Sequence, residues 1–441
     1  MSFLQWIFGK KELPKSKKDI RFGRFTDVYK TEMQLSHWEN ARLAFERDDF
    51  FSSCKELLSY ILDDREDNVS WNETENNVSF SIVQGSQKIV GNFTKEALQA
   101  EVAIAKADSL NIGLLRKLID QTTNLVYTSY ALTPDNEIVI RFSSGALDGS
   151  PYKIFFGLKE MATNADKQDD LLLHDFDTLQ IIDKTLRLPI SDDEKAVKYD
   201  FLIAQIQSAF FDLEKLKNKI DQQPKTASYL MLDAIFKVEY LICPEGFTLD
   251  IFEQAQYQYF ANDSKNMEQK NNALRKVLQQ LLDTPKEDFY KEMYRTKASF
   301  GVTQAVTHEA FVEQLDSELS QMDWYIRNEQ ERVSEAICTN IIGFCSLNCT
   351  LPKPDQALFH LYFEILEADF FQKIGFEALY YNENGSFNAK NIKTALQLVK
   401  EENKLQYPRC KPSIDVLDLS SRALFAKSYL MMMRNLDLIR A

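Results

Sequence analysis

The chain has 441 residues, about three times a typical domain, so two or three hydrophobic cores are expected. A formal net charge of −14 argues against broad nucleic-acid binding, which needs Lys and Arg to replace phosphate counterions. Only 13 glycines occur, which disfavours the glycine-rich loops that cradle phosphates in nucleotide enzymes.

Residues 1–24 stand apart from the rest. Phe3, Leu4, Trp6, Ile7 and Phe8 form an apolar cluster, followed by Lys10, Lys11, Lys15, Lys17, Lys18, Arg21 and Arg24. Such a wedge suits an anionic membrane surface, the aromatics entering the interface and the lysines facing headgroups. It equally suits a segment docked on the protein's own body. From Phe25 to Leu62 apolar residues recur at three- and four-residue steps, with a break at Arg47-Asp48-Asp49, which predicts a helical hairpin.

The next stretch, to about Phe176, reads as one α+β unit. Val78, Phe80 and Ile82 alternate with smaller polar residues, Gly85-Ser86 offers a two-residue turn, and Ile89 and Val90 continue towards Phe93. Leu98, Ala100, Val102 and Ile104 also alternate, which favours a further strand, although Thr94-Lys95-Glu96 could equally cap a helix. Ile112 to about Gln121 predicts a short helix with Leu114, Leu115, Leu118 and Ile119 inward. A second hairpin follows, Leu125 to Leu132 and Glu137 to Phe142, joined by Thr133-Pro134-Asp135-Asn136. Ser150-Pro151 then starts a helix, because serine caps and proline loses nothing at the first helical position. Its buried stripe is Ile154, Phe155, Leu158, Met161, Ala162 and Ala165.

After Pro189 strand signals disappear. Helices are predicted over residues 192–220, 225–243, 267–282, 307–347, 356–374, 389–404 and 413–438, with prolines punctuating them. The Ser299-Phe300-Gly301 region marks a sub-boundary. The expected organisation is a basic and aromatic segment (1–24), a helical hairpin plus α+β domain (25–190), and an all-α part (191–441). The fold class is α+β, a small antiparallel sheet with flanking helices followed by a helical bundle.

Four segments of the middle unit carry a resemblance. They are Gln84-Gly85-Ser86, Gly113-Leu114-Leu115-Arg116-Lys117-Leu118, Tyr127 to Leu132, and Leu158-Lys159-Glu160 running on to Ala165-Asp166-Lys167-Gln168-Asp169-Asp170. With these the unit resembles the YbjN family, whose fold is that of type III secretion chaperones. The resemblance covers roughly a quarter of the chain. It implies a domain that binds another polypeptide and performs no chemistry, with a homodimer among the expected assemblies.

Two constellations could hold a metal. Asp166, Asp170, His174 and Asp177, at steps of four, four and three, would share one face of a continuing helix; a solvated acidic face has the same pattern. Cys338, Cys345 and Cys349, with His360 downstream, name a zinc set, but their spacing is not that of zinc knuckles and they read as core cysteines. His37 and His308 read as structural. The Met431-Met432-Met433 run reads as bundle core, with an adaptable binding surface as its rival. No nucleophile elbow, phosphate loop or zinc-protease helix occurs. The six cysteines fit reduced thiols in a cytoplasmic protein. The expectation is a non-enzymatic interaction module with no cofactor. An enzyme with a carboxylate or metal site in a cleft between the two halves, and a peripheral membrane adaptor, are its rivals.

Overall fold

The computed structural model describes residues 20–23, 30–63, 66–377 and 379–441. Helices α1 (Glu32–Glu46) and α2 (Phe50–Ile61) form the expected hairpin. Thr31 and Gln34 make a capping box at the start of α1, Asp48 turns the chain with a φ of 59°, and Asp49 caps α2. The apolar side of α2, Cys54, Leu57, Leu58 and Ile61, is fully buried.

The sheet follows as β1 (Val69–Glu73), β2 (Val78–Gln84), β3 (Gln87–Phe93), β4 (Ala97–Ala107), α3 (Ile112–Thr122), β5 (Ser129–Leu132), β6 (Glu137–Gly145), α4 (Pro151–Asp175) and β7 (Leu179–Gln180). The strand order is β1-β2-β3-β4-β6-β5, all pairs antiparallel, with β7 against the end of β4. Alternate residues Val78, Phe80, Ile82, Val102 and Ile140 are buried, and α4 lies on them with Ile154, Leu158, Met161, Ala162 and Ala165. Strand β1 is not legible from sequence, since only Val69 and Trp71 are apolar in it. It exists because β2 offers a free edge, where Val69 sits opposite Ile82. Residues 125–128 are correspondingly not strand: Glu160 on α4 accepts the backbone N–H groups of Val126, Tyr127 and Thr128 at 2.8, 2.9 and 2.9 Å.

The remainder is helical, apart from two short strand pairs. The first half of it contains β8 (Leu188–Pro189), α5 (Asp192–Lys215), α6 (Lys217–Ile220), α7 (Lys225–Ile242), α8 (Gly246–Phe260), α9 (Met267–Asp283), α10 (Lys286–Lys291) and β9 (Tyr294–Arg295). Then come β10 (Gln304–Ala305), α11 (His308–Glu313), α12 (Leu315–Arg327), α13 (Glu331–Asn348), β11 (Cys349–Thr350), α14 (Lys353–Leu366), α15 (Ala368–Lys373), α16 (Ala389–Asn403) and α17 (Arg422–Arg434). Helix α7 is the centre: 17 of its residues are buried, among α5, α9 and α13. The long predicted helix over 307–347 is three helices, because Glu329 adopts a φ of 57° and Gln314 ends α11. Helix α8 was not predicted. It starts at Gly246 (φ 59°), and its first N–H groups, on Phe247 and Thr248, are accepted by Glu292 at 2.9 and 3.0 Å. A cap supplied from 45 residues away leaves no local signature.

The fold is thus α+β, a small antiparallel sheet with flanking helices followed by a helical bundle. Residues 297–300 cross between the two parts. Gly85 N–H donates to the Lys297 carbonyl at 2.6 Å, and Ser299 Oγ donates to the Val83 carbonyl at 2.5 Å. The amides of Ser299 and Phe300 both donate to Gln84 Oε1 at 2.9 Å. The Phe300 ring enters the core of the sheet domain, 5.6 Å from that of Phe155.

Candidate functional site

Two features stand out. The first is the outer side of α3. Asn111 caps this helix by accepting the Leu114 N–H at 2.9 Å, and Leu114 and Leu118 bury its inner side. Gln121 donates to Gln168 at 2.5 Å and Lys117 pairs with Asp175, so α4 fixes the helix along one flank. The other side keeps Ile112, Leu115 and Ile119 in solvent, with exposures of 70, 39 and 65%. Leu115 and Ile119, expected to face inward, therefore face outward. The inward pair alone fills the space under an 11-residue helix. Beyond it Val126 is 79% exposed, and β5 closes the sheet as an edge strand with Leu132 also exposed. A helical stripe of aliphatic residues in water is the informative departure from normal burial.

Glu160 holds the turn between α3 and β5 in place, accepting from Thr128 Oγ1 as well as from the three amides. Replacing Glu160 by alanine is expected to cost about 1 kcal/mol, as buried Thr128 and the two exposed amides before it lose a charged acceptor. Urea unfolding of the two proteins measures this directly.

The second feature is a cleft of about 1550 Å³ between the sheet domain and the helical part, lined by Gly85, Asp166, Lys167, Glu245, Tyr294 and Lys297 among others. Asp166 and Glu245 are on its wall; behind Asp166 on α4, Asp169 and Asp170 meet the Arg187 guanidinium. Asp166 accepts the Ser86 N–H at 2.9 Å and the Gln84 amide at 3.4 Å. Asp169 accepts from Ser86 Oγ, Gln87 and Arg187 at 2.5, 2.6 and 2.8 Å. Asp170 accepts from the Tyr294 hydroxyl at 2.6 Å and lies 2.7 Å from Arg187. Glu245, from the link between α7 and α8, accepts from Thr296 at 3.1 Å. Burial pushes Asp166 up to about 6, against the Ser86 N–H. Burial and then the Asp170 charge push Asp169 up to about 7. Burial, then Asp166 and Asp170, hold Glu245 well above the usual carboxylate range. Gly85 is required here, since its φ is 58° and a Cβ would lie 1.6 Å from Asp166 Oδ1.

Of the residues singled out as metal candidates, Asp166 and Asp170 reach this cluster. His174 stacks on Phe247, the ring centroids 4.0 Å apart. Asp177 is not on the helix: α4 ends at Asp175 and Phe176 is extended, so the four do not share one face. Likewise Cys349 lies beyond the end of α13, and the three thiols do not project from one helix. Cys338 is buried and donates to the Ala426 carbonyl at 3.3 Å, while His360 meets the Tyr240 hydroxyl at 3.0 Å. Among the described residues no group of three or more His, Cys, Asp or Glu is arranged to hold a metal ion. His37 meets Glu56 at 2.7 Å, and buried His308 meets Asp355 at 2.9 Å. Met432 and Met433 are core and Met431 is 42% exposed. Phe3, Leu4, Trp6, Ile7 and Phe8 lie outside the described residues.

Asp169, Arg187, Glu245 and Tyr294 carried no sequence signal as a site. Their meeting depends on how the two parts pack. No described helix is long and apolar enough to cross a membrane. Neither a protein-family model nor a curated protein matches the chain.

Proposed function

We propose that this chain is a non-enzymatic interaction module that binds a polypeptide through the outer side of α3 and the adjoining edge of β5. The observation that carries the reading is the solvent-facing stripe Ile112, Leu115 and Ile119 beside an edge strand. Apolar helix faces are covered by partners in helix-and-groove complexes, and free strand edges accept extended segments. The resemblance of the sheet domain to the YbjN family and to secretion chaperones favours the same reading. It is an argument from fold, and the surface carries the function.

Replacing Ile112 and Ile119 together by aspartate tests it. Both side chains are solvent-facing, so unfolding free energy should move by no more than about 0.5 kcal/mol per site. Complexes formed by the intact chain in its native lysate, including a second copy of itself, should be lost. A double variant that keeps every wild-type complex would remove the proposal.

A second reading is favoured by the cleft itself, with Asp166 and Glu245 on its wall: a small-ligand or catalytic site between the two parts. Its support is weaker, because the bonds made by Asp166, Asp169 and Asp170 are directed to Ser86, Arg187 and Tyr294 within the joint. Melting shifts across a panel of divalent cations and small charged ligands test it, and the absence of any shift would count against it.

A further inference from the structure

Residues 20–23, Ile-Arg-Phe-Gly, line the cleft between the two parts and belong to no helix or strand. Their position rests on contacts with distant residues, and each contact suits the residue that makes it. The Arg21 guanidinium meets both oxygens of Glu66, in the turn before β1, at 2.6 and 2.8 Å. Glu66 is buried, and the two-bond pair matches a planar guanidinium in a way that lysine cannot. The Phe22 ring lies among His360 on α14, Phe371 on α15 and Phe376, with ring centroids 5.2, 5.1 and 5.9 Å away. Ile20 packs on the edge of the helical core.

Position 23 demands glycine. Its φ is 70°, and a Cβ would come within 2.7 Å of the Tyr240 ring. The Gly23 N–H donates to the Tyr240 carbonyl at 2.9 Å. That carbonyl lies in the last turn of α7, where the helical donor four residues on would be Pro244, which has no N–H. The Cys243 thiol donates to the same carbonyl at 3.2 Å and to the Gly23 carbonyl at 3.7 Å. The receiving side is held from behind: His360 Nδ1 meets the Tyr240 hydroxyl at 3.0 Å, and its Nε2 lies 3.4 Å from Glu364. A carboxylate, an aromatic hollow and a backbone acceptor from separate elements thus converge on three successive residues. Peptide grooves read short segments in this way, with main-chain bonds for affinity and side-chain pockets for specificity.

We propose that this end of the cleft is a recognition site for an Arg-Phe-Gly segment, which the chain fills with its own residues 21–23 as a tethered ligand. The same segment on a separate molecule takes the site when the tethered copy is disabled. The inference is independent of the α3 surface, which lies on other residues.

Thermophoresis of the labelled full chain, titrated with an acetylated and amidated Ile-Arg-Phe-Gly peptide, tests this. Phe22→Ala empties the aromatic hollow of the chain's own ring. This variant should bind the peptide with a Kd below about 1 mM, at least about tenfold tighter than the wild type, in which the tethered copy competes. Gly23→Ala displaces the tethered segment through its backbone and the Tyr240 ring, should behave alike, and serves if the first variant fails to fold. Peptides with glutamate in place of arginine, or alanine in place of phenylalanine, should bind the variants at least about tenfold more weakly. That pattern supports the site. No binding to the folded variants up to about 1 mM peptide, equal binding of the altered peptides, or equal binding by wild type and variants would overturn it.

Discussion

Replacing Phe300 by alanine is expected to destabilise the protein by about 3–5 kcal/mol. The ring is 2% exposed and belongs to the core of the sheet domain, although its sequence position lies deep in the helical part. Its removal opens a cavity beside Phe155 and also frees the segment whose amides bond to Gln84. The loss should therefore exceed that of an ordinary core truncation at the periphery. It should also uncouple the two parts, so that one cooperative unfolding transition becomes two. Denaturant unfolding followed by tryptophan fluorescence and by far-ultraviolet circular dichroism measures both effects. Coincident transitions with a loss under about 1 kcal/mol would contradict the role assigned to Phe300.

The second large effect is expected at Asp233. This residue is fully buried in α7 and meets Lys237 at 3.2 Å and the Arg332 guanidinium. Lys237 in turn meets Glu367 at 3.0 Å, and Arg332 meets Asp212 at 3.0 Å. Burial alone would raise the Asp233 carboxyl, but Arg332 and then Lys237 outweigh it and hold the group at about 2. Asp233→Ala leaves both cations short of their shared partner and should cost about 3–5 kcal/mol. Asp233→Asn, which keeps the volume, should cost nearly as much, because the charge is what is missing. Asparagine indistinguishable from wild type in urea would show that shape alone matters at this position.

Asp233 and the raised carboxyls of Asp166 and Asp169 respond oppositely to pH. The stability contributed by Asp233 is present above its unfolded value near 3.8 and is lost as pH falls towards 2. Asp166 and Asp169 lose theirs as pH rises through about 6 and about 7. The wild type should thus be most stable on the mildly acidic side, between about pH 4 and 6.

Local chemistry made much of the sheet domain legible. The Gly85-Ser86 turn, the alternation in β2 and β4, and the Ser150-Pro151 start of α4 are each decided by neighbouring residues. Elements fixed by distant partners were not legible. Helix α8 depends on Glu292, residues 126–128 depend on Glu160, and β1 depends on the free edge of β2. The same division applies to function. Leu115 and Ile119 of the outward stripe are expected inward because in sequence they look like Leu114 and Leu118, and only packing shows that Leu114 and Leu118 suffice. Asp166 and Asp170 were singled out for their helical spacing. Asp169, Arg187, Glu245 and Tyr294 acquire meaning only when the two parts meet.

The most direct test of the interaction reading places a photo-crosslinking amino acid at position 119, in the full chain within its native cell. Leu405 is 92% exposed and lies in the turn after α16, so it provides the matched control. A discrete protein adduct from position 119 and none from position 405 is the predicted result, with an adduct of twice the chain's mass identifying a second copy as the partner. No adduct from position 119, or the same diffuse products from both positions, would contradict the assignment of α3 as a binding surface.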